Sequence, residues 1–299
     1  MAKFAAPAKQ AASVMRQVQG KALRSVGTVR NYEERLRQIT AHLQASRMGS
    51  LRDLTPERAL EYLRQRAAQV GQKTLDMERQ ALQTMFWHVT GQLAPGQRLE
   101  VVKSTYTDGR QLAQQSRIYT RNQIALITAR QSPANALATE IAHAAGLRAH
   151  ELLTLQRAHR QLPDERPAHP NKFHGIKDGS LAYTVQGKGG LRREVRLPLE
   201  LVRRLEPLRL REQPREVRDR GVVYRQHYDL PGGQAWSQSF SAASKQALGW
   251  SNGAHGLRHC YAQERLRALQ PHLPLEEALR VVSQEMGHFR PEITNVYRR

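Results

Sequence analysis

The sequence predicts a mainly α-helical protein of the α+β class, with two helical domains and one small antiparallel β-sheet. Apolar residues recur at three- and four-residue spacing through most of the 299 residues, which is typical of amphipathic helices. Around residues 180–197 the pattern changes to alternation about a Gly-rich turn, which is typical of a β-hairpin. A chain of this length can bury a sizeable core and is long enough for about two domains.

The N-terminal part of the chain combines a basic segment with a predicted helical bundle. The first 30 residues contain six basic residues and no acidic one, so we expect a flexible basic arm over residues 1–24. Residues 25–105 are expected to form a bundle of three or four helices, beginning at Thr28, at Thr55-Pro56-Glu57 and at Lys73. The apolar face of the first helix is formed by Tyr32, Leu36, Ile39 and Leu43.

The C-terminal part of the chain is predicted to form the second domain. Residues 106–120 are polar and are expected to be a linker, and residues 121–299 the domain itself. Its predicted elements begin with a helix over 121–145 that ends at Gly146 and a loop over 157–177 in which one short strand is an open alternative. Hairpin strands over 180–185 and 193–197 and mainly helical chain from Glu200 onward follow.

The charge of the chain points to a polyanionic partner. Lys and Arg number 47 against 26 Asp and Glu, which gives a formal net charge of +21, and 38 of the basic residues are Arg. The guanidinium group pairs bidentately with phosphate and stays charged at any relevant pH. This composition favours nucleic-acid binding, although a genome that prefers Arg codons would produce a similar excess.

The composition also argues against several protein classes. No apolar run is long enough to span a membrane, and the first residues lack the pattern of a signal peptide. The single cysteine, Cys260, cannot form an internal disulfide, and no CxxC pair suggests a zinc site. No P-loop motif indicates ATP binding. We therefore expect a protein of the reducing cytoplasm without an ATP-dependent activity.

Three segments carry groups suited to phosphate chemistry: Gly146-Leu-Arg148 with Glu151, His255-Gly-Leu-Arg258-His259, and Met286-Gly-His288 followed by Thr294 and Tyr297. Guanidinium groups neutralise phosphoryl oxygens, imidazoles move protons and a phenol can attack phosphorus, so the set suits phosphoryl transfer without a metal. Taken singly, each of these residue types is more often structural than catalytic.

A metal site is a weaker interpretation of the histidine pair. His255 and His259 are four residues apart and would share one helical face. The sequence contains no HExxH motif, and no nearby Asp or Glu could serve as a third ligand. The prediction is therefore that no metal is bound.

The order and spacing of these motifs resemble the tyrosine recombinase (phage integrase) family. In that family an Arg is followed by a hairpin Lys, then His-x-x-Arg, then Gly-His, then a Tyr nine residues after that His. The matching positions here are Arg148, Lys188, His255, Arg258, His288 and Tyr297. Residues 25–105 resemble the family's helical, SAM-like core-binding domain, so the resemblance covers nearly the whole chain and implies the DNA breaking-rejoining enzyme fold.

The resemblance implies a role for each matching position. Tyr297 would be the nucleophile that attacks a scissile phosphate, forms a 3′-phosphotyrosyl link and releases a 5′-hydroxyl. Arg148 and Arg258 would clamp the phosphoryl oxygens, and Lys188 would protonate the leaving oxygen. The remaining roles would be acid/base assistance by His255, orientation of the phosphate by His288, and support from Glu151, His259 and Thr294.

The function implied is site-specific DNA recombination that integrates, excises or resolves a mobile genetic element. It would need no cofactor and would take place in the cytoplasm, in association with a bacterial nucleoid. The partners implied are double-stranded DNA, a homotetramer assembled on two DNA sites from protomers that are monomers or weak dimers in solution, and accessory DNA-bending or directionality factors. Two alternatives stay open: a type IB topoisomerase-like enzyme that relaxes DNA, and a non-catalytic DNA-binding regulator derived from a recombinase.

Overall fold

The computed structural model describes residues 4–23, 26–94, 96–107, 116–211 and 213–288. The chain divides into two compact units, Met1–Leu112 and Ala113–Arg299. The elements are mostly helices, accompanied by small antiparallel sheets, which confirms the predicted fold class. Within the described residues, no helix is long and apolar enough to cross a membrane.

The first unit is helical, as its apolar periodicity predicts. Its helices are α1 (Pro7–Val18), α2 (Val26–Ala45), α3 (Pro56–Arg66) and α4 (Gln72–Met85). Helix α2 begins two residues before the predicted cap Thr28 and buries Leu36, Ile39 and Leu43. Helix α3 begins where predicted, and the Thr55 hydroxyl accepts a hydrogen bond from the amide of Arg58 at 3.4 Å.

The predicted basic arm over residues 1–24 is wrong for the described residues 4–23. Most of this segment is α1, and its residues Ala11, Val14, Met15 and Val18 are buried in the core of the first unit. The basic side chains Lys9 and Arg16 are exposed. The segment is therefore an amphipathic helix whose apolar residues at three- and four-residue spacing outweigh its charge in deciding its structure.

The second unit begins with two helices where the sequence analysis predicts one. They are α5 (Arg121–Thr128) and α6 (Pro133–Ala144). The break has a local cause, because Pro133 lacks an N–H for an interior helical bond, whereas it suits the first position of a new helix. The Ser132 hydroxyl caps that helix by accepting from the amide of Asn135 at 3.4 Å.

A three-stranded antiparallel sheet follows and confirms the predicted hairpin. Its strands are β1 (Gln156–Arg157), β2 (Ser180–Gln186) and β3 (Arg192–Pro198), in the order β1-β2-β3. Tyr183 pairs with Val195 across the hairpin. On β3 the side chains of Arg193, Val195 and Leu197 are buried, whereas their neighbours are exposed or half-buried.

The prediction of mainly helical chain beyond Glu200 misses a second hairpin. After α7 (Leu199–Leu205), strands β4 (Arg215–Asp219) and β5 (Val222–Gln226) pair antiparallel. Their turn is Arg220-Gly221, with φ of +49° and +80°, which is the geometry of a tight two-residue hairpin turn. The remaining helices are α8 (Gly233–Leu248), α9 (His255–Leu269) and α10 (Leu275–Glu285).

The end of the predicted linker belongs to the second unit. Tyr119 is buried in its core and stacks on Trp250, with ring centroids 5.4 Å apart. The amide of Tyr119 donates to the Sγ of Cys260 at 3.1 Å. The linker prediction is therefore wrong for residues 116–120, and residues 108–115 lie outside the described part of the chain.

Candidate active site

A short turn after α6 places Arg148 against a buried carboxylate. Gly146 has a φ of +58°, a conformation that favours glycine and ends helices. Two residues later, the Arg148 amide donates to Glu151 Oε2 at 2.8 Å, and Arg148 Nη1 donates to Oε1 at 2.7 Å. Glu151 is fully buried at the start of a 3₁₀ turn. Glu151 therefore holds Arg148 in place through two groups, its backbone amide and its guanidinium.

Arg258 connects this turn to the end of α10. It lies in the first turn of α9 and is fully buried. Its Nη1 donates to the carbonyl of Gly146, and its Nη2 donates to the carbonyl of Met286 at 2.6 Å. Its Nη1 also lies 3.9 Å from Glu151 Oε2. Arg148 and Arg258 therefore share one carboxylate as a neighbour.

His288 joins the same cluster directly after α10. Its Nε2 lies 3.1 Å from Arg258 Nη2. A guanidinium only donates hydrogen bonds, so Nε2 is the acceptor, and in neutral His288 the proton is on Nδ1. Burial, followed by the charges of Arg258 and Arg148, lowers the pKa of His288 to about 3. The ring is therefore neutral at pH 7 and offers hydrogen bonds rather than charge.

The other two predicted histidines lie on the N-terminal turns of α9. The rings of His255 and His259 meet edge to face, with centroids 5.5 Å apart. Desolvation, followed by the charges of Arg258 and Arg148, lowers the pKa of His255 to about 4, although the residue is partly open to solvent. Desolvation, followed by the proximity of His255, lowers the pKa of His259 to about 4. Within the described residues, no group of three or more His, Cys, Asp or Glu could hold a metal ion.

Arg193, which is not among the predicted site residues, completes the surroundings of Glu151. Arg193 is only 4% exposed, and its Nη2 donates to Glu151 Oε2 at 2.7 Å. A signal in the sequence could have identified it. In the alternating strand β3, Arg193 has the same parity as Val195 and Leu197, so it lies on the buried face.

The cluster has an excess of positive charge. Burial alone raises the pKa of Glu151, but the charges of Arg193, Arg258 and Arg148 outweigh burial and hold the pKa of this carboxyl well below its usual range. Three guanidinium groups thus surround one ionised carboxylate. The remaining positive charge suits a bound anion with the geometry of a phosphate.

The hairpin turn that carries Lys188 lies against this cluster. A Cβ placed on the preceding Gly187 would be 3.3 Å from Glu151 Oε1 and 3.8 Å from Arg148 Nη1. The structure therefore brings together Arg148, Glu151, Arg258 and His288, with the backbone of the 187–188 turn beside them. The side chain of Lys188 and all of Thr294 and Tyr297 lie outside the described part of the structure.

Three solved structures with a similar fold are a recombinase and two integrases, each bound to DNA. The XerH site-specific recombinase bound to its difH substrate has a TM-score of 0.57 and 17% identity, over 97% of this chain and 81% of that one. The Tn1549 transposon integrase bound to transposon right-end DNA has a TM-score of 0.54 and 14% identity, over 98% and 94%. A lambda integrase tetramer bound to a Holliday junction has a TM-score of 0.56 and 15% identity, over 97% and 76%.

This chain has the tyrosine recombinase fold. The sequence itself matches no protein-family model and no curated protein. The likeness extends over both compact units, since it covers nearly the whole chain. At these identities it establishes the fold that the sequence motifs imply, and the chemistry has to be argued from the side chains.

Proposed function

We propose that this protein is a site-specific tyrosine recombinase that cuts and rejoins duplex DNA. The observation that carries the proposal is the convergence of Arg148 and Arg258 around Glu151, with the neutral ring of His288 on Arg258, in a chain with this fold. A phosphodiester gains negative charge on its non-bridging oxygens as it is attacked. Guanidinium groups that are already held in place stabilise that charge without reorganisation.

Each step of the proposed reaction uses a side chain of this protein. The phenol oxygen of Tyr297 attacks the scissile phosphorus and gives its proton to the neutral imidazole of His255, and the bond to the 5′-oxygen breaks, which leaves a 3′-phosphotyrosyl link. Lys188 gives a proton to the departing oxygen. His255 assists proton transfer, and His288 donates from Nδ1 or positions Arg258. The attack of a new 5′-hydroxyl on the phosphotyrosine reverses these steps and rejoins the strand.

The energy of the broken bond is kept in the phosphotyrosine, so the proposed reaction consumes no ATP and needs no metal. Recombination of two sites requires four active subunits, and we propose a homotetramer on two DNA sites. The lambda integrase tetramer on a Holliday junction provides a precedent within this fold. Bacterial nucleoid DNA is the proposed setting, with integration, excision or resolution of a mobile element as the outcome.

The test compares the wild-type protein with Tyr297→Phe. Both are incubated with fragmented DNA from the host and its mobile elements, SDS-resistant protein–DNA adducts are collected, and the attached DNA is sequenced. We expect wild-type adducts that converge on one short inverted-repeat site. We expect none from Tyr297→Phe, which loses the nucleophile but should keep its DNA affinity.

Other outcomes would overturn this proposal in distinct ways. Adducts scattered over all sequences would identify a DNA-relaxing enzyme of the type IB topoisomerase kind. Sequence-specific binding without any adduct would identify a DNA-binding regulator. Adducts that persist in Tyr297→Phe would place the nucleophile elsewhere in the chain.

A further inference from the structure

Arg193 touches two separate segments of the second unit. Its Nη2 donates to Glu151 Oε2 at 2.7 Å, and its Nη1 donates to the carbonyl of Glu285 at 2.6 Å. Longer contacts of 3.4 Å join its Nε to Glu151 Oε1 and its Nη2 to the carbonyl of Gly146. One buried side chain on β3 therefore connects the turn after α6 with the end of α10.

Arg193 and Arg258 share this set of partners. Both donate to the carbonyl of Gly146, and both lie beside the carboxylate of Glu151. At the end of α10 their acceptors are consecutive carbonyls, Glu285 for Arg193 and Met286 for Arg258. The two side chains thus hold the same two turns from different sides.

The turn that carries His288 is built around the stem of Arg193. Gly287 has a φ of +68°, and a Cβ placed on it would lie 2.6 Å from Arg193 Cδ. Only glycine can therefore bring the chain this close to Arg193 in this conformation. The fit also requires a long side chain whose fork can donate in several directions, which an arginine has and a lysine lacks.

From these contacts we infer that Arg193 is a positioning residue for the phosphate site. It orients Glu151 and the 285–288 turn so that Arg148, Arg258 and His288 converge on one phosphoryl group. It acts through these residues, whose positions it fixes, rather than on the DNA itself. The inference rests on the proposed function, because the group being positioned is the scissile phosphate.

Arg265 offers a matched control within the same unit. It is also buried, and it pairs with the buried carboxylate of Glu285 through two contacts of 2.8 Å. Its Nη2 also donates to the carbonyl of His174 at 3.0 Å. Loss of Arg265 thus removes a buried ion pair of the same kind from the side chain of Glu285, whereas the Glu285 carbonyl keeps its hydrogen bond from Arg193 and the Glu151 carboxylate keeps its partners.

The experiment compares the full-length variants Arg193→Met, Arg193→Lys and Arg265→Met with the wild type. Thermal melting reports the folded fraction, and DNA affinity is measured in the Tyr297→Phe background. Single-turnover cleavage is measured at saturating concentrations of the duplex recovered from wild-type adducts. Hydrogen exchange of peptides covering residues 146–151 and 285–288 reports the order of the two turns independently of activity.

We expect Arg193→Met to cleave about 100-fold more slowly with unchanged DNA affinity, because small displacements of groups that hold a reacting centre cost rate rather than binding. Arg193→Lys should recover part of the rate, and exchange at 146–151 should rise in Arg193→Met only. Arg265→Met should melt at a lower temperature but cleave at the wild-type rate. If Arg193→Met does not fold, Arg193→Lys carries the test and should still cleave measurably more slowly.

Two results would overturn the inference. One is a wild-type cleavage rate in the folded Arg193 variants, with unchanged exchange at 146–151. The other is equal slowing by Arg265→Met, which would reduce Arg193 to a contributor to stability. Failure of the proposed function can be distinguished from failure of this inference. If the proposed function is wrong, the wild-type protein forms no Tyr297-dependent adduct. Hydrogen exchange would still test whether Arg193 orders the two turns.

Discussion

A single buried carboxylate organises the residues of the candidate site. Glu151 is fully buried, and its oxygens receive hydrogen bonds from Arg148 and Arg193, while Arg258 lies 3.9 Å away. Burial of a charge is costly unless partners compensate for it. Here the partners outnumber the carboxylate, so removal of Glu151 would leave several guanidinium groups without their counter-charge.

Substitution Glu151→Gln tests this arrangement through folding stability. We expect the free energy of unfolding at pH 7 to fall by about 3–5 kcal/mol, because the buried arginines lose their partner. The measurement is chemical denaturation, with Glu276→Gln as control. That residue forms an exposed pair with Arg280, and its loss should leave the stability nearly unchanged.

The same arrangement predicts the direction in which folding stability changes with pH. The pKa of Glu151 is lowered in the folded state, so its contribution is complete above the usual pKa of the unfolded chain. The contribution is lost as the pH falls below about 5. The stability difference between wild type and Glu151→Gln should therefore stay constant above about pH 5 and shrink progressively as the pH falls below that value. A difference that does not shrink below about pH 5 would contradict the ionised state assigned to Glu151.

At the level of residues, motif spacing predicts the parts of the site that lie near turns. The structure brings together three residues of the predicted site. Arg148 follows the end of α6, Arg258 lies in the first turn of α9, and His288 follows the end of α10. Contacts of Arg258 with the Gly146 carbonyl and with His288 join these helix ends. Arg193 is missed, because a charge in an amphipathic strand is ordinarily assigned to solvent. Arg193 is two residues before the buried Val195, which indicates that both side chains lie on the buried face of the strand. The position of the Glu151 carboxylate on that face follows only from the fold.

At the level of elements, a glycine at the end of α6 allows close packing beside the site. Gly146 has a φ of +58°, and a Cβ placed on it would lie 2.6 Å from the ring of Tyr261. The Gly146 carbonyl also accepts from Arg258. The helix end is thus pressed against α9, which brings Arg148 and Arg258 to the same place.

Substitution Gly146→Ala tests this packing, with Gly249→Ala as the matched control. Gly249 ends α8 with a φ of +79°, and a Cβ placed on it would have no neighbour within 4 Å. Gly249→Ala should cost about 1–2 kcal/mol of folding free energy from backbone strain alone. Gly146→Ala should cost about 1–3 kcal/mol more, since the methyl group also displaces the Tyr261 ring. Equal costs in chemical denaturation would contradict the close approach.

The elements that the sequence predicts well have local signals. Helix α3 has its cap and proline, and the β2–β3 hairpin has its alternation and Gly-rich turn. The errors arise where two signals compete. At residues 1–24 the basic charge obscures the apolar spacing of α1. Across residues 121–145 the apolar periodicity obscures the break at Pro133. The short strands β4 and β5 lie within a segment that the sequence predicts to be mainly helical.

At the level of the whole molecule, the net charge of +21 is the dominant physical property. The two compact units together carry far more arginine than acidic residues could pair with, so a polyanion is the natural partner. The charge does not decide the fold, which follows from the apolar cores of the two units. On the proposed function, the charge attracts the folded protein to DNA.

DNA binding should therefore depend steeply on salt. For Tyr297→Phe on duplex DNA, we expect the affinity to fall by about a thousandfold or more between roughly 50 and 200 mM KCl, because each phosphate contact releases a counterion. Fluorescence anisotropy titrations at several salt concentrations measure the slope. An affinity that hardly changes with salt would mean that the basic residues are not directed at phosphate.

The central claim is that Tyr297 becomes covalently attached to DNA at the site formed by Arg148 and Arg258. The most direct measurement is to trap the wild-type adduct, digest the DNA and the protein, and locate the residual nucleotide by peptide mass spectrometry. We predict a 3′-phosphonucleotide on Tyr297, in the peptide that also contains His288. A nucleotide on any other residue, or a stable DNA complex without any modified peptide, would contradict the account.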